Sequence, residues 1–286
     1  MRLLITADWH IRATRPRCRV DEDWMETQRK ALKQVADIAL RNSAKIIVVG
    51  DIFHSNSDTS FECIKLVQEM AKFSGGLYIL AGNHDLPYHS SQNIGKSAIG
   101  VLLGSDGIKK ISVLSSQFSA PDFDEPVKQN RYMFLHTLTM PKEEKPDIID
   151  CETPETLFKK YPMAQWIFTG DYHKNFHYEH IGWHVLNPGC LLRQAADLAD
   201  YQPGVYIVDL DGGKVEFEPI LDDVALVDDS YITKENEREE RIENFVKKLQ
   251  NTASVSFDFL ENVKAAIMEN HLRPELEEQI DELLEH

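Results

Sequence analysis

A chain of 286 residues with 42% hydrophobic and 27% charged side chains has the size and balance of a globular protein with one large core and a small accessory region; disordered and fibrous classes are excluded. No uninterrupted apolar run approaches the roughly 20 residues that span a bilayer, so no membrane role is expected. The net charge of −16 argues against a nucleic-acid partner only until its distribution is considered: residues 221–286 carry 18 of the 47 acidic side chains but only 7 of the 31 basic ones, and the rest is nearly balanced.

The first apolar run, Leu3-Leu4-Ile5, reads as a strand and delivers Asp8-Trp9-His10. A basic loop follows, with Arg12, Arg15, Arg17 and Arg19 around Pro16. Asp21 is placed to cap a helix over 22–42, with Trp24, Ala31, Leu32, Val35, Ile38 and Ala39 on its inner side. Strand Ile46–Val49 ends in Gly50-Asp51. Asp58 or Thr59 opens a second helix, and Thr59 with Glu62 has capping-box spacing. Strand Leu77–Leu80 ends in Gly82-Asn83-His84-Asp85. Residues 86–130 mix a short helix near 94–103 with a strand at Ile111–Leu114. Strand Tyr132–Leu135 then ends in His136. A helix is expected over Thr153–Tyr161, and strand Trp166–Phe168 delivers Gly170-Asp171-Tyr172-His173. Val205–Leu210 and Lys214–Ile220 form a hairpin turning at Asp211-Gly212-Gly213. From about residue 234 the pattern is helical and acidic, so the expected boundary near 221 separates domains 1–220 and 221–286.

Strands alternating with helices predict a layered α/β fold with a small helical C-terminal region. In open α/β sheets the chemistry gathers beyond the carboxyl ends of the strands, where all five polar clusters fall. Their residue types suit two metal ions about 3.5–4 Å apart, held by oxygen and imidazole donors with one bridging carboxylate. Asp51 is the expected bridge. Asp8, His10 and His173 complete one shell, while Asn83, His136 and Asp171 complete the other. The spacing in Asp8-Trp9-His10 suits a strand end, where residues two apart leave on the same side. His84 faces the substrate as a charge stabiliser or acid, with Asp85 orienting its ring. His54 stays outside the ligand set, and His89, His177, His180 and His184 read as surface residues. Cys18, Cys63, Cys151 and Cys190 lack CxxC pairing and are taken as reduced, structural thiols. With no basic segment leading into an apolar core at the N-terminus, a cytoplasmic protein is expected.

Over about residues 1–215 the chain resembles the calcineurin-like metallophosphoesterase superfamily, whose signature order is D-x-H, G-D, G-N-H-D, a lone H and G-H-x-H, the last represented here by Gly170-Asp171-Tyr172-His173. That resemblance implies a β-sheet sandwich flanked by helices and two divalent cations, Mn²⁺ first and Mg²⁺ second. Within the superfamily the chain is most similar to the nuclease subunit of SbcCD-type DNA repair complexes and to exonuclease subunit 1 of T-even-like phages. The details that carry this are the arginine-rich loop, the Gly50-Asp51-Ile52-Phe53-His54 block, and Asn187-Pro188-Gly189 followed by Arg193. The resemblance implies a DNA phosphodiesterase, exonuclease and endonuclease, working as a homodimer with an SbcC-like coiled-coil ATPase in a bacterial or phage-infected cytoplasm. Arg12, Arg15, Arg17, Arg19 and Arg193 are its candidate DNA contacts. The tail around Phe257, Phe259, Val263 and Ile267, or Leu276, Ile280 and Leu283, either caps the domain or docks on the ATPase. The departure is Asp171, which stands where the family usually has histidine. The alternatives are a phosphoesterase for small molecules or phosphoproteins, and a non-catalytic scaffold with a decayed site. The absence of the G-D-x-x-D-R-G and G-N-H-E forms weighs against the protein phosphatase branch.

Overall fold

In strand β1 (Arg2–Thr6) successive side chains serve two different cores: Leu4 packs with helices, whereas Leu3 and Ile5 pack between two sheets. The computed structural model describes residues 1–56, 59–110, 132–146, 148–222, 226–228 and 230. Helix α1 (Trp24–Asn42), β2 (Lys45–Val49), α2 (Phe61–Ser74) and β3 (Leu77–Leu80) follow. Then come the short α3 (Ala98–Leu102), β4 (Ile108–Lys110), β5 (Tyr132–His136), α4 (Pro154–Lys160) and β6 (Trp166–Gly170). The hairpin β7 (Phe176–His180) and β8 (Trp183–Asn187) leads to β9 (Gly204–Asp209) and β10 (Lys214–Pro219).

Among the described residues, ten strands form two sheets, ordered β10-β9-β1-β2-β3-β4 and β5-β6-β8-β7. Strands β1 to β4 are parallel neighbours, as are β5, β6 and β8; β9, β10 and β7 run antiparallel to the strands they join. Leu3, Ile5, Ile47, Val49 and Leu80 of the first sheet face Phe134, Trp166, Phe168 and Leu186 of the second. On the other side of the first sheet, Ile46, Val48 and Ile79 pack against α1 and α2. Met133, Ile167 and Val185 lie under Leu157 of α4. This is the expected layered α/β sandwich, and every strand predicted within the described residues is present. The register aligns Thr6 with Val48 and Val49 with Leu80, so three strands of the first sheet end at one edge. His136 and Gly170 end β5 and β6 as direct neighbours.

Several local expectations need correction. Asp21 does not cap α1; Asp23 does, accepting from the Glu26 amide at 3.0 Å. The Arg19 guanidinium claims both Asp21 carboxylate oxygens, at 2.7 and 2.9 Å. Helix α2 is capped by Ser60 rather than Asp58 or Thr59. Thr153 caps α4 through a reciprocal bond with Thr156. The β7–β8 hairpin escaped sequence reading because Phe176-His177-Tyr178-Glu179-His180 lacks a clean apolar alternation. His184 is accordingly buried rather than at the surface. The expected strand at 111–114, the tail helices from 234 and the side chain of His89 lie outside the described residues.

The chain beyond 221 still holds to the arginine loop: Asp222 accepts from Arg19 Nη1 at 2.9 Å and from the Arg193 amide at 3.1 Å, and Val20 donates to the Leu226 carbonyl. The first compact unit runs from Met1 to Asp228. Removing one member of a buried ion pair leaves the others uncompensated, which typically costs about 3–5 kcal/mol. Asp222→Ala is therefore expected to destabilise this unit by about that much, read as a lower denaturant midpoint, with Asp222→Asn losing less because it keeps acceptor and donor atoms.

Candidate metal centre

The loop after β1 is zipped to the loop after β2: the Asp8 amide donates to the Gly50 carbonyl at 3.1 Å, the His10 amide to that of Asp51 at 3.0 Å, and the Ile11 amide to that of Ile52 at 2.8 Å. Trp9 is fully buried and donates its indole N–H to Thr6 at 2.8 Å, which turns the flanking Asp8 and His10 towards the site. The turn, rather than the strand pleat invoked from sequence, aims that pair, since Asp8 and His10 lie past the end of β1 with φ of 48° and 45°. Asp51 and Asp171 also have positive φ, at 48° and 83°. Such left-handed backbone is costly for non-glycine residues and persists where surrounding structure enforces it. Three glycines permit the crowding. A Cβ on Gly50 would lie 2.0 Å from His136 Nδ1, one on Gly82 2.0 Å from Asp51 Oδ1, and one on Gly170 2.2 Å from the Val49 carbonyl.

Every predicted ligand comes to this edge. His136 donates from Nδ1 to the Val49 carbonyl at 2.9 Å, which turns Nε2 inward. Around that nitrogen stand Asn83 Oδ1 at 2.8 Å, Asp51 Oδ2 at 3.2 Å and Asp171 Oδ1 at 3.8 Å. On the other side, His10 Nε2 lies 3.1 Å from His173 Nε2 and 3.9 Å from the same Asp51 Oδ2. Asp8, His10 and His173 form one close donor group, and Asp8, Asp51 and His136 another. Asp51 Oδ2 thus touches both halves, as a bridge must.

The electrostatics call for cations here. Asp51 Oδ2 and His10 Nδ1 are buried without a hydrogen-bond partner, and such orphaned groups are costly. Burial, followed by the charges of Asp51 and Asp171, raises the Asp8 pKa well above the usual carboxylate range, with His136 opposing. Burial disfavours the His136 imidazolium, but Asp51 and Asp8 outweigh it and push its pKa up to about 10. Acceptor atoms therefore converge where a positive charge is favoured. Burial pulls His10 down to about 3, keeping it a neutral donor. A divalent cation fits this oxygen and imidazole set in place of the proton.

Residues 1–208 match the calcineurin-like phosphoesterase family. The chain belongs to that family. It is a metal-dependent phosphoesterase, and the donors converging on Asp51 suit the two divalent cations that such phosphoesterases typically bind. No curated protein matches this phosphoesterase at a significant level. Among solved structures, an archaeal phosphodiesterase is 14% identical, covering 77% of this chain and 100% of its own, with a TM-score of 0.43. A hypothetical protein from Pyrococcus horikoshii OT3 is 12% identical over 84% of this chain and 93% of its own, with a TM-score of 0.42. Vps29 from Entamoeba histolytica, as a single mutant, is 13% identical over 77% and 100%, with a TM-score of 0.36.

Three roles assigned from sequence change. Asp85 does not orient the His84 ring: its buried carboxylate accepts from the amides of Gly82, Phe53 and Ile52 at 2.9, 2.9 and 3.2 Å, strapping the β2 and β3 loops together. Burial, then the charge of Asp51, raises its pKa to about 7. His84 instead donates from Nδ1 to the His54 carbonyl at 2.7 Å, leaving Nε2 for a substrate oxygen. Its amide donates to Asp51 Oδ1 at 2.9 Å, so the proposed acid and the bridge are fixed to each other. Arg19 and Arg193 are buried in the Asp21 and Asp222 network and leave almost no surface for a phosphate backbone. Arg15 and Arg17 are exposed, and half-buried Arg12 lies with Nη1 3.0 Å from His54 Nε2. Sequence reading missed that Arg12–His54 pair at the rim. A histidine a few residues past Asp51 is too common a pattern to signal it, whereas the fold places the His54 ring 5.7 Å from that of His10. Asn187 also gains a role, donating to the carbonyls of Tyr172 and Lys174 and so shaping the Asp171–His173 loop.

Gly50→Ala is expected to abolish binding of the second cation while the sheets survive, because both its positive φ and the His136 contact forbid a Cβ; elemental analysis against far-ultraviolet circular dichroism checks it. Asp171→His is expected to keep two cations and shift preference towards ions that favour imidazole, whereas Asp171→Ala weakens one of them, as read by Mn²⁺ and Zn²⁺ titration of each variant.

Proposed function

We propose that this phosphoesterase is a phosphodiesterase acting on DNA, the nuclease half of a complex with an SbcC-like coiled-coil ATPase. The observation that carries the reading is the cationic rim: Arg12 stands beside His54 at the edge of the metal centre, with exposed Arg15 and Arg17 following on the same loop. A phosphomonoester needs only the centre, whereas a polynucleotide brings further phosphates on either side of the scissile one.

Asp8, His10, His173, Asp51, Asn83, His136 and Asp171 would hold the two cations, which supply charge neutralisation at phosphorus and acidify the attacking water. The chain's own groups do the rest. His136 is fixed by the Val49 carbonyl, and Asp51 by the His84 amide, so neither must reorganise as charge develops. His84, held by the His54 carbonyl, presents Nε2 to stabilise or protonate the leaving oxygen. Arg12 offers its guanidinium to a neighbouring phosphate. The second copy of the chain and the ATPase enter as partners, with the acidic segment after Asp228 as the docking element for a basic surface.

The deciding experiment incubates end-labelled duplex and single-stranded DNA with the chain, with and without Mn²⁺, beside bis(p-nitrophenyl) phosphate. Manganese-dependent DNA cleavage is expected; turnover of the small diester with intact DNA would favour the small-molecule reading. His84→Ala is expected to lower kcat by about a hundredfold to ten-thousandfold with both cations retained, and Asp51→Asn to lower it further through loss of metal. A chain truncated after Asp228 is expected to keep manganese-dependent cleavage and lose the ATPase in a pull-down.

A further inference from the structure

On the hairpin at the far edge of the second sheet, cross-strand pairing sets Glu179 opposite His184 and His177 opposite Leu186. These positions share one face of the sheet. His177 Nε2 lies 3.1 Å from His184 Nδ1, and Glu179 Oε2 lies 3.9 Å from that same nitrogen. One donor atom from each of the three lies within 4.8 Å of the other two. None of them belongs to the metal centre described above.

We propose that His177, Glu179 and His184 form a separate site for a single transition-metal cation, with Zn²⁺ as the natural occupant. Zinc–nitrogen distances of about 2.0–2.1 Å in a tetrahedron put neighbouring donors about 3.3 Å apart. Both separations fall within about 0.6 Å of that spacing, so small side-chain rotations close the shell. The donor set is two imidazoles and one carboxylate, which suits borderline cations, unlike the oxygen-rich centre around Asp51.

The site is also built rather than incidental. His184 is buried and its ring is stacked on Trp166, with centroids 3.9 Å apart and planes 10° from parallel. One ligand is therefore held before any cation arrives. His177 and Glu179 are exposed and leave a path from solvent. Burial lowers the pKa of both histidines, keeping their nitrogens available as donors near neutral pH. Occupation would clamp edge strand β7 to β8, and the remaining coordination position would be open to water or to a ligand from a partner.

The test compares the wild-type chain with His177→Ala and Glu179→Ala, both at exposed positions. After dialysis against Zn²⁺, elemental analysis is expected to find one equivalent fewer in each variant than in the wild type. Manganese-dependent hydrolysis of bis(p-nitrophenyl) phosphate is expected to be unchanged in all three. Cobalt substitution adds a spectroscopic readout: the tetrahedral site should give an intense visible band that both variants lack. Equal zinc content in wild type and variants, with no difference in the cobalt spectrum, would overturn the proposal and leave the His177–His184 contact as a hydrogen bond between neutral rings.

Discussion

The buried carboxylate of Asp51 is the point on which this structure turns. One of its oxygens accepts from the His84 amide, and the other makes no hydrogen bond but lies 3.2 Å from His136 Nε2 on one side and 3.9 Å from His10 Nε2 on the other. Two sheets have to approach closely enough to surround it. They do so where β2 and β6 end, at a separation so small that a methyl group on Gly170 would strike the Val49 carbonyl. The apolar layer between the sheets, from Leu3 and Val49 to Phe134 and Phe168, holds that approach. Burial of this layer at about 25 cal/mol per Å² of apolar surface is what can offset crowded carboxylates and left-handed backbone at its rim.

The strain and the charge are concentrated together. Asp8, His10, Asp51 and Asp171 all adopt positive φ, and all are candidate ligands. Elsewhere among the described residues that backbone marks helix ends and turns, as at Ser43 and Ile181. A left-handed turn directly after a strand sends a side chain back over the strand end instead of along it. That is how the loops after β1, β2 and β6 aim into one volume. Cations in that volume would relieve both the orphaned oxygen of Asp51 and the mutual repulsion of Asp8, Asp51 and Asp171.

The arginine loop illustrates how one stretch of like residues divides its work. Arg19 is locked by Asp21 and Asp222 in the interior, which anchors the loop at its far end. The anchored loop then leaves Arg15 and Arg17 in solvent and Arg12 beside His54. Arg193, on the segment following Asn187-Pro188-Gly189, joins the same anchor through Asp222. A motif that resembles a nucleic-acid contact in sequence thus contains both structural and surface cations, and burial tells them apart.

The sequence by itself determined seven of the ten described strands and the polar residues at their ends. Apolar runs of three or four residues closing on Asp, His, Gly and Asn carry that information locally, through side-chain period and turn chemistry. It was enough for a layered α/β fold and for all seven proposed ligands to be singled out, with Asp51 as the expected bridge, whereas the two-sheet sandwich was implied by the family resemblance. Only the tertiary structure decided what each flanking residue does. Asp85 straps two loops rather than orienting His84, Asp23 rather than Asp21 caps the first helix, and Arg19 and Arg193 are buried rather than exposed. The hairpin that brings His177, Glu179 and His184 together was also invisible, because polar residues interrupt its alternation. The physical reason is common to these cases: a short polar side chain pairs with whatever donor or acceptor lies within about 3 Å, and for partners separated by tens or hundreds of residues that distance is set by packing, which no local pattern encodes.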